Sequence, residues 1–142
     1  MNNTLARIND SLYVMGREFG NMLGAAVQSR NFSVLAAPRL RFSSFIDSSK
    51  AKLQQMKDVY GSGPLRKSEI DLLEVETHMV NDDFSPFERL TSFATLQQIN
   101  ELFDKIKADS EIESEKMATF KREQRLYAKR NGFELKEERM PQ

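Results

Sequence analysis

Residues 4–28, TLARINDSLYVMGREFGNMLGAAVQ, decide the fold that this sequence predicts. Apolar side chains recur there at alternating spacings of three and four, a repeat that is typical of the seam of a coiled coil or a helical bundle. The stretch therefore predicts a long heptad helix that buries one face. The seam consists of Leu5, Ile8, Leu12, Met15, Phe19, Met22 and Ala26.

Three glycines, Gly16, Gly20 and Gly24, recur at every fourth position of the same predicted helix. Each glycine in a helix interior costs about 1 kcal/mol relative to alanine. At about 100° per residue, the glycines lie roughly 120° around the helix from the seam, so the helix offers two contact surfaces. A helix of another chain approaches the glycines closely, or aromatic side chains of the same chain, such as Phe42 or Phe93, pack on them, or the glycines make the helix flexible.

We expect the N-terminal helix to bind a protein partner or a second copy of the chain as a homo-oligomer. The predicted interface combines seam residues with the glycines: Leu5, Ile8, Leu12, Met15, Gly16, Phe19, Gly20, Met22 and Gly24. Membrane insertion of residues 12–27 is a further interpretation, but Arg17, Glu18 and Asn21 interrupt the apolar run. We therefore expect no signal peptide, no transmembrane helix, and a cytoplasmic or intravirion protein.

The remainder of the chain predicts an all-α fold of about four to five helices, elongated or bundled, because its periodicity is helical wherever it is clear. A second helix is expected over residues 38–60. Pro38 suits its first turn, and the run Gly61-Ser62-Gly63-Pro64 is the clearest helix breaker of the chain. Ser68 resembles the N-cap of a short third helix.

Local signals also divide the C-terminal region. Ser85, Pro86 and Glu88 supply a cap, an N1 proline and a capping-box glutamate in register, which predicts the start of a core helix. The polar stretch 109–115 is expected to break or expose that helix. A last helix is expected to end at Gly132, because glycine is favoured just beyond a helix C-terminus.

These elements predict one helical domain followed by a tail. The domain is expected to span residues 1–132, with the N-terminal helix in 1–28, the second helix in 38–60 and the C-terminal helices in 68–132. Residues 133–142 are expected to form a charged, flexible tail.

The formal net charge of zero conceals blocks of opposite sign. Residues 38–67 carry seven bases and two acids, residues 68–115 carry three bases and thirteen acids, and residues 116–142 carry eight bases and four acids. Such blocks favour docking of one segment on another, within the chain or between neighbouring chains. That attraction weakens as the salt concentration rises.

Few residues suit catalysis or metal binding. Cysteine is absent, which excludes disulfides, thiolate nucleophiles and cysteine-ligated zinc or iron–sulfur sites. The one histidine, His78, has Glu74 and Asp82 one turn away on either side, and the plainer interpretation of this weak metal signal is a solvated acidic face. A di-iron bundle needs a second histidine. We therefore expect no metal site, no cofactor and no enzymatic activity.

The last predicted helix carries a basic stripe. Its candidate anion or nucleic-acid contacts are Lys121, Arg122, Arg125 and Lys129. Such a stripe suits phosphate groups. The plainer interpretation is a partner for the acidic middle block or a solvated helix end.

Together these patterns predict a noncatalytic helical assembly protein, such as a structural component of a virion or secretion apparatus, or an adaptor. Two alternatives remain open: a nucleic-acid-binding or regulatory helical protein that uses the basic last helix, and a membrane-active helix protein.

Overall fold

The computed structural model describes residues 1–135, of which 84% are helical, and no strand occurs in this part of the chain. The four α-helices are α1 (Asn2–Ser29), α2 (Ala36–Gln55), α3 (Gly63–His78) and α4 (Leu96–Asn131). They are joined by 3₁₀ segments at Ser33–Leu35 and Ser85–Arg89 and by a π-helix at Met79–Phe84. The prediction of an all-α fold with a long N-terminal helix is confirmed.

Successive helices run in opposite directions. The start of α1 and the end of α2 line one shallow cavity between the two helices. Arg66 in α3 donates a hydrogen bond to the carbonyl of Leu53 near the end of α2, at 3.3 Å. Arg130 at the end of α4 donates to the carbonyl of Gly61, just before α3, at 3.2 Å. The fold is therefore an up-down-up-down helical bundle.

One hydrophobic cluster holds the bundle together with side chains from all four helices. Phe19 of α1 stacks on Phe84 of the π-helix, with ring centroids 4.8 Å apart. Phe87 packs edge-to-face on Phe103 of α4 at 5.2 Å. The burial of apolar area against other segments of the same chain is the main stabilising contribution to the fold.

The second and third helices differ from their predicted bounds. The second helix begins at Ala36 and ends at Gln55 instead of residue 60, because Met56 adopts an extended conformation. The predicted breaker is divided: Tyr60 and Gly61 form the turn with positive φ angles, and Pro64 lies in the first turn of α3. The prediction of Ser68 as an N-cap is wrong, since Ser68 lies inside α3.

The strongest predicted helix start is also wrong. Ser85, Pro86 and Glu88 open only a 3₁₀ segment, and the side chain of Ser85 donates to the carbonyl of Asn81 instead of capping an α-helix. The capping box belongs to Thr95, which accepts from the N–H of Gln98 while the Gln98 side chain accepts from Thr95.

The fourth helix is continuous, so of the two alternatives expected for residues 109–115 the break is wrong. The stretch is instead largely exposed, at residues 111, 112, 114 and 115. Polar residues are compatible with a helix when one narrow stripe packs and the remainder faces solvent. The predicted end is correct: Gly132 adopts a left-handed conformation as the C-cap, with Lys129 and Arg130 in the last turn. Most of the predicted tail lies outside the described residues.

Candidate functional site

The apolar seam of α1 is used within the chain. Leu5, Ile8, Leu12 and Phe19 are all at most 6% exposed and belong to the bundle core, while Met15 and Met22 are half-buried against it. These side chains therefore present little surface to a second chain. The predicted interface has two parts. The seam stabilises the bundle, and only the glycines remain available to a second chain.

The three glycines form an exposed stripe, here called the glycine face. No atom outside the local helix backbone lies within 4 Å of where a Cβ would stand at Gly20 or at Gly24. At Gly16 the nearest such atom is the ring tip of Phe42, at 4.0 Å, which is ordinary van der Waals contact. The glycine face is therefore open along most of its length.

Packing within the chain does not explain this stripe. Phe42 touches only the Gly16 end, and Phe93, the other candidate aromatic, is 89% exposed. Two apolar side chains of α1, Tyr13 and Val14, are also 58% and 43% exposed. The glycines therefore lower the helix stability of α1, yet at Gly20 and Gly24 no other part of the described chain packs on them.

The basic stripe of α4 faces solvent. Its four residues are all exposed, and none of them forms an ion pair with another described residue: Lys121, Arg122, Arg125 and Lys129. The neighbouring Arg130 and Asn131 instead donate to backbone carbonyls of the turn before α3. Within the described residues, the stripe is not a partner for the acidic block.

Attraction between charge blocks explains little of the packing. Across separate segments of the described chain, one ion pair joins blocks of opposite sign, between Arg39 of α2 and Glu88. In contrast, α3 and α4 bring acidic residues together, since Glu76 lies close enough to Glu113 for repulsion to raise its pKa. Apolar burial, rather than charge complementarity, therefore determines how these helices pack.

Three acids, Glu69, Glu76 and Asp83, recur every seven residues along α3 and its π-helical extension, and we call them the acidic row. Burial raises the pKa of Glu69 to about 7, although a hydrogen bond from Asn9 of α1, at 3.4 Å, opposes the rise. Burial raises the pKa of Glu76 to about 8, and it also raises the pKa of Glu113. The bundle therefore contains carboxyl groups that favour the protonated state near neutral pH.

The third member of the acidic row belongs to a second cluster. The Nε2 atom of His78 lies 3.8 Å from Oδ1 of Asp83 and 3.1 Å from Oδ2 of Asp109. The Nδ1 atom of His78 lies 2.8 Å from Oδ2 of Asp82. Lys105 places its Nζ 3.4 Å from Oδ1 of Asp83. Burial raises the pKa of Asp83 to about 6, with a further contribution from Asp109, whereas Lys105 opposes the rise.

The sequence pattern around His78 identified only part of this cluster. Asp82 does pair with the imidazole, but Glu74 is exposed and takes no part in it. Asp83 and Asp109 were missed because their positions beside His78 depend on the fold. A π-helix brings Asp83 there, and the antiparallel packing of α4 on α3 brings Asp109 there. The seven-residue spacing of the acidic row was a partial signal for Asp83, because it puts three acids on one face of an α-helix. No sequence signal pointed to Asp109.

Comparison with protein-family models, with curated proteins and with solved structures finds no match to this chain. None of the helices in the described part of the chain is long and apolar enough to cross a membrane. The class defined by the fold is an all-α helical bundle.

Proposed function

We propose that this protein is a noncatalytic helical assembly subunit and that α1 binds a helix of a second copy, or of a partner protein, through the glycine face. The observation that carries the proposal is the open surface at Gly20 and Gly24, in a helix whose apolar seam, on another face, packs in the core. Small residues at every fourth position let two helix backbones approach closely.

Helix energetics support this proposal. Three glycines in a helix interior cost about 3 kcal/mol relative to alanine at the same positions. Space for side chains of the same chain does not require glycine at Gly20 or Gly24, since both positions are open. A closely approaching helix would account for the absence of side chains, and exposed Tyr13, which lies on the same face of α1 at about 100° per residue, would add apolar area beside it.

Such a subunit would suit a larger structural machine, such as a virion or a secretion apparatus. It would also suit the role of an adaptor. We propose a cytoplasmic or intravirion location for it. The exposed charges of α4 would orient neighbouring subunits, so that assembly weakens as the salt concentration rises.

The test is the native mass of wild-type protein and of Gly20→Leu, measured by light scattering at low and high salt. The substituted side chain points into open space, and leucine favours helix over glycine. The folded monomer should therefore gain about 1 kcal/mol of stability while the assembly dissociates. Ala25→Leu is the matched control, because it adds the same side chain at an exposed position about 140° around the helix.

Opposite changes in stability and mass separate a lost interface from a damaged fold. If Gly20→Leu keeps the wild-type mass, or if the wild-type protein is a monomer that recovers no specific partner, the glycine face is not an assembly surface. An equal decrease in native mass for Ala25→Leu would also contradict the proposal, because the effect would not be specific to the glycines.

The second candidate function is nucleic-acid binding through the basic stripe. It is favoured by the exposure of four cations that form no ion pair with another residue of 1–135. Fluorescence anisotropy with labelled DNA and RNA at low and high salt tests this candidate. Arg122→Gln combined with Arg125→Gln should weaken binding and reduce its salt dependence, whereas Lys107→Gln, on the acidic part of α4, should not. Absence of binding by the wild-type protein at low salt rejects the candidate.

A further inference from the structure

We propose that His78, Asp83 and Asp109 form a binding site for one divalent transition-metal ion of the zinc class. The site joins three places in the fold: the end of α3, the π-helix that follows it, and the middle of α4. A bound ion would therefore cross-link the two most closely packed helices of the bundle. This inference is independent of the glycine face and of the proposed assembly.

The geometry of the three side chains is close to that of a coordination sphere. Zinc binds imidazole nitrogen and carboxylate oxygen at about 2.0–2.2 Å, so two ligand atoms on one ion lie about 3.0–3.6 Å apart. The Nε2 atom of His78 lies 3.1 Å from Asp109 Oδ2 and 3.8 Å from Asp83 Oδ1. One ligand atom from each residue lies within 4.8 Å of the others. A bound ion would therefore have to draw the more distant of these ligand atoms closer together.

Asp83 supplies a separate indication of a missing ligand. Its side chain is completely buried, and within the described chain no group donates a well-aligned hydrogen bond to either carboxylate oxygen. A buried carboxylate without hydrogen bonds is costly unless a cation or a donor compensates it. Lys105 Nζ lies 3.4 Å from Oδ1 as an ion-pair partner and compensates part of the charge of Asp83. A metal ion between Asp83, Asp109 and His78 would satisfy this group directly.

The orientation of the imidazole also suits metal binding. Asp82 Oδ2 lies 2.8 Å from Nδ1 of His78. The Nε2 atom forms a hydrogen bond with Asp109 Oδ2 at 3.1 Å. A metal ion would replace the proton of that hydrogen bond, and with Nδ1 donating to Asp82 the lone pair of Nε2 would then point toward Asp83 and Asp109. Histidines that bind metals are typically held in this way by a carboxylate on the second ring nitrogen. The π-helix places Asp82 and Asp83 together here, and such segments occur frequently at functional sites.

The donor set selects the class of metal. One imidazole and two carboxylates suit zinc and similar divalent transition metals, whereas calcium and magnesium prefer sites built from oxygen alone. Two carboxylates also neutralise the charge of a divalent ion. Lys105 is the competing cation of the site, because its ammonium group already lies beside Asp83.

Calorimetric titration of the tag-free chain with Zn²⁺ tests the site, and we expect one ion to bind per chain. Asp83→Asn and Asp109→Asn should each weaken binding at least about tenfold. Lys105→Gln should strengthen binding, because it removes the competing cation. Glu74→Gln is the matched control: this exposed acid lies one turn before His78, outside the cluster, and its loss should leave the affinity unchanged.

Since His78 is the only histidine of the chain, ¹⁵N NMR observes the proposed ligand directly. Zn²⁺ should shift the Nε2 resonance while Nδ1 keeps its proton. If Asp83→Asn does not fold, Asp109→Asn and His78→Gln replace it, because these side chains are 17% and 49% exposed. The proposal is overturned by a folded wild-type chain without saturable binding, by variants of wild-type affinity, or by coordination through Nδ1.

Discussion

Replacement of the buried acid Glu69 by glutamine should stabilise this protein at high pH and have little effect at low pH. Glu69 is completely buried in α3, and its Oε1 atom has no hydrogen-bond partner among residues 1–135. The neighbouring Asn9 also has a buried and unpaired oxygen, Oδ1. A glutamine at position 69 can accept from Asn9 and also donate to it, so the substitution removes a buried charge and supplies a missing donor.

The magnitude follows from the pKa of Glu69, which burial raises from 4.5 to about 7. This increase corresponds to about 3 kcal/mol, at about 1.36 kcal/mol per pH unit. Because the pKa is higher in the folded state, the folded protein binds more protons than the unfolded protein between these two values. The free energy of unfolding therefore falls as the pH rises from about 4.5 to above 7, by at most about 3 kcal/mol for this group.

The assay is urea unfolding of the wild-type protein and of Glu69→Gln across this pH range. The variant's advantage should be small at about pH 4.5 and should approach 3 kcal/mol at about pH 8. Glu74→Gln is the control, because Glu74 is exposed on the same helix and its replacement should give no such difference. An advantage of Glu69→Gln that does not change with pH, or a variant less stable than wild type at high pH, would refute the reasoning.

Two further predictions concern the fold. Phe87→Ala should cost about 3–5 kcal/mol of unfolding free energy, because Phe87 is completely buried and packs on Phe103; a loss below about 1 kcal/mol in urea unfolding would place it outside the core. Thr95→Ala should cost about 1 kcal/mol, because it removes the cap of α4. Ser85→Ala should cost less than about 0.5 kcal/mol, since half-buried Ser85 caps no α-helix. If thermal or urea unfolding shows a larger loss of stability for Ser85→Ala than for Thr95→Ala, the assignment of Thr95 as the cap of α4 is contradicted.

Several helix boundaries could not be predicted from local sequence, because two segments offered competing signals. Ser85, Pro86 and Glu88 match a helix start, yet the chain there continues from a π-helix into a 3₁₀ segment that places Phe87 in the core. Thr95 and Gln98 form the real capping box. Tertiary packing selected between the two starts, since burial of an aromatic ring outweighs a cap worth about 1 kcal/mol.

The sequence by itself determined that the chain is helical, that Leu5, Ile8, Leu12 and Phe19 share one face of the first helix, and that the last helix ends at Gly132. Periodicity and the left-handed preference of glycine are local properties, so they can be recognised without a neighbour. The sequence also located the glycines on a different face from the seam, but it left open whether that face was covered.

Only the tertiary structure decided which surfaces meet. It assigned the seam to the core of the same chain, left Gly20 and Gly24 open, and placed Asp83 and Asp109 beside His78. These relations join residues that are distant in sequence or depend on a π-helical turn, and no spacing rule specifies them. Burial also changes the chemistry of an acid such as Glu69, because desolvation depends on the side chains that surround it.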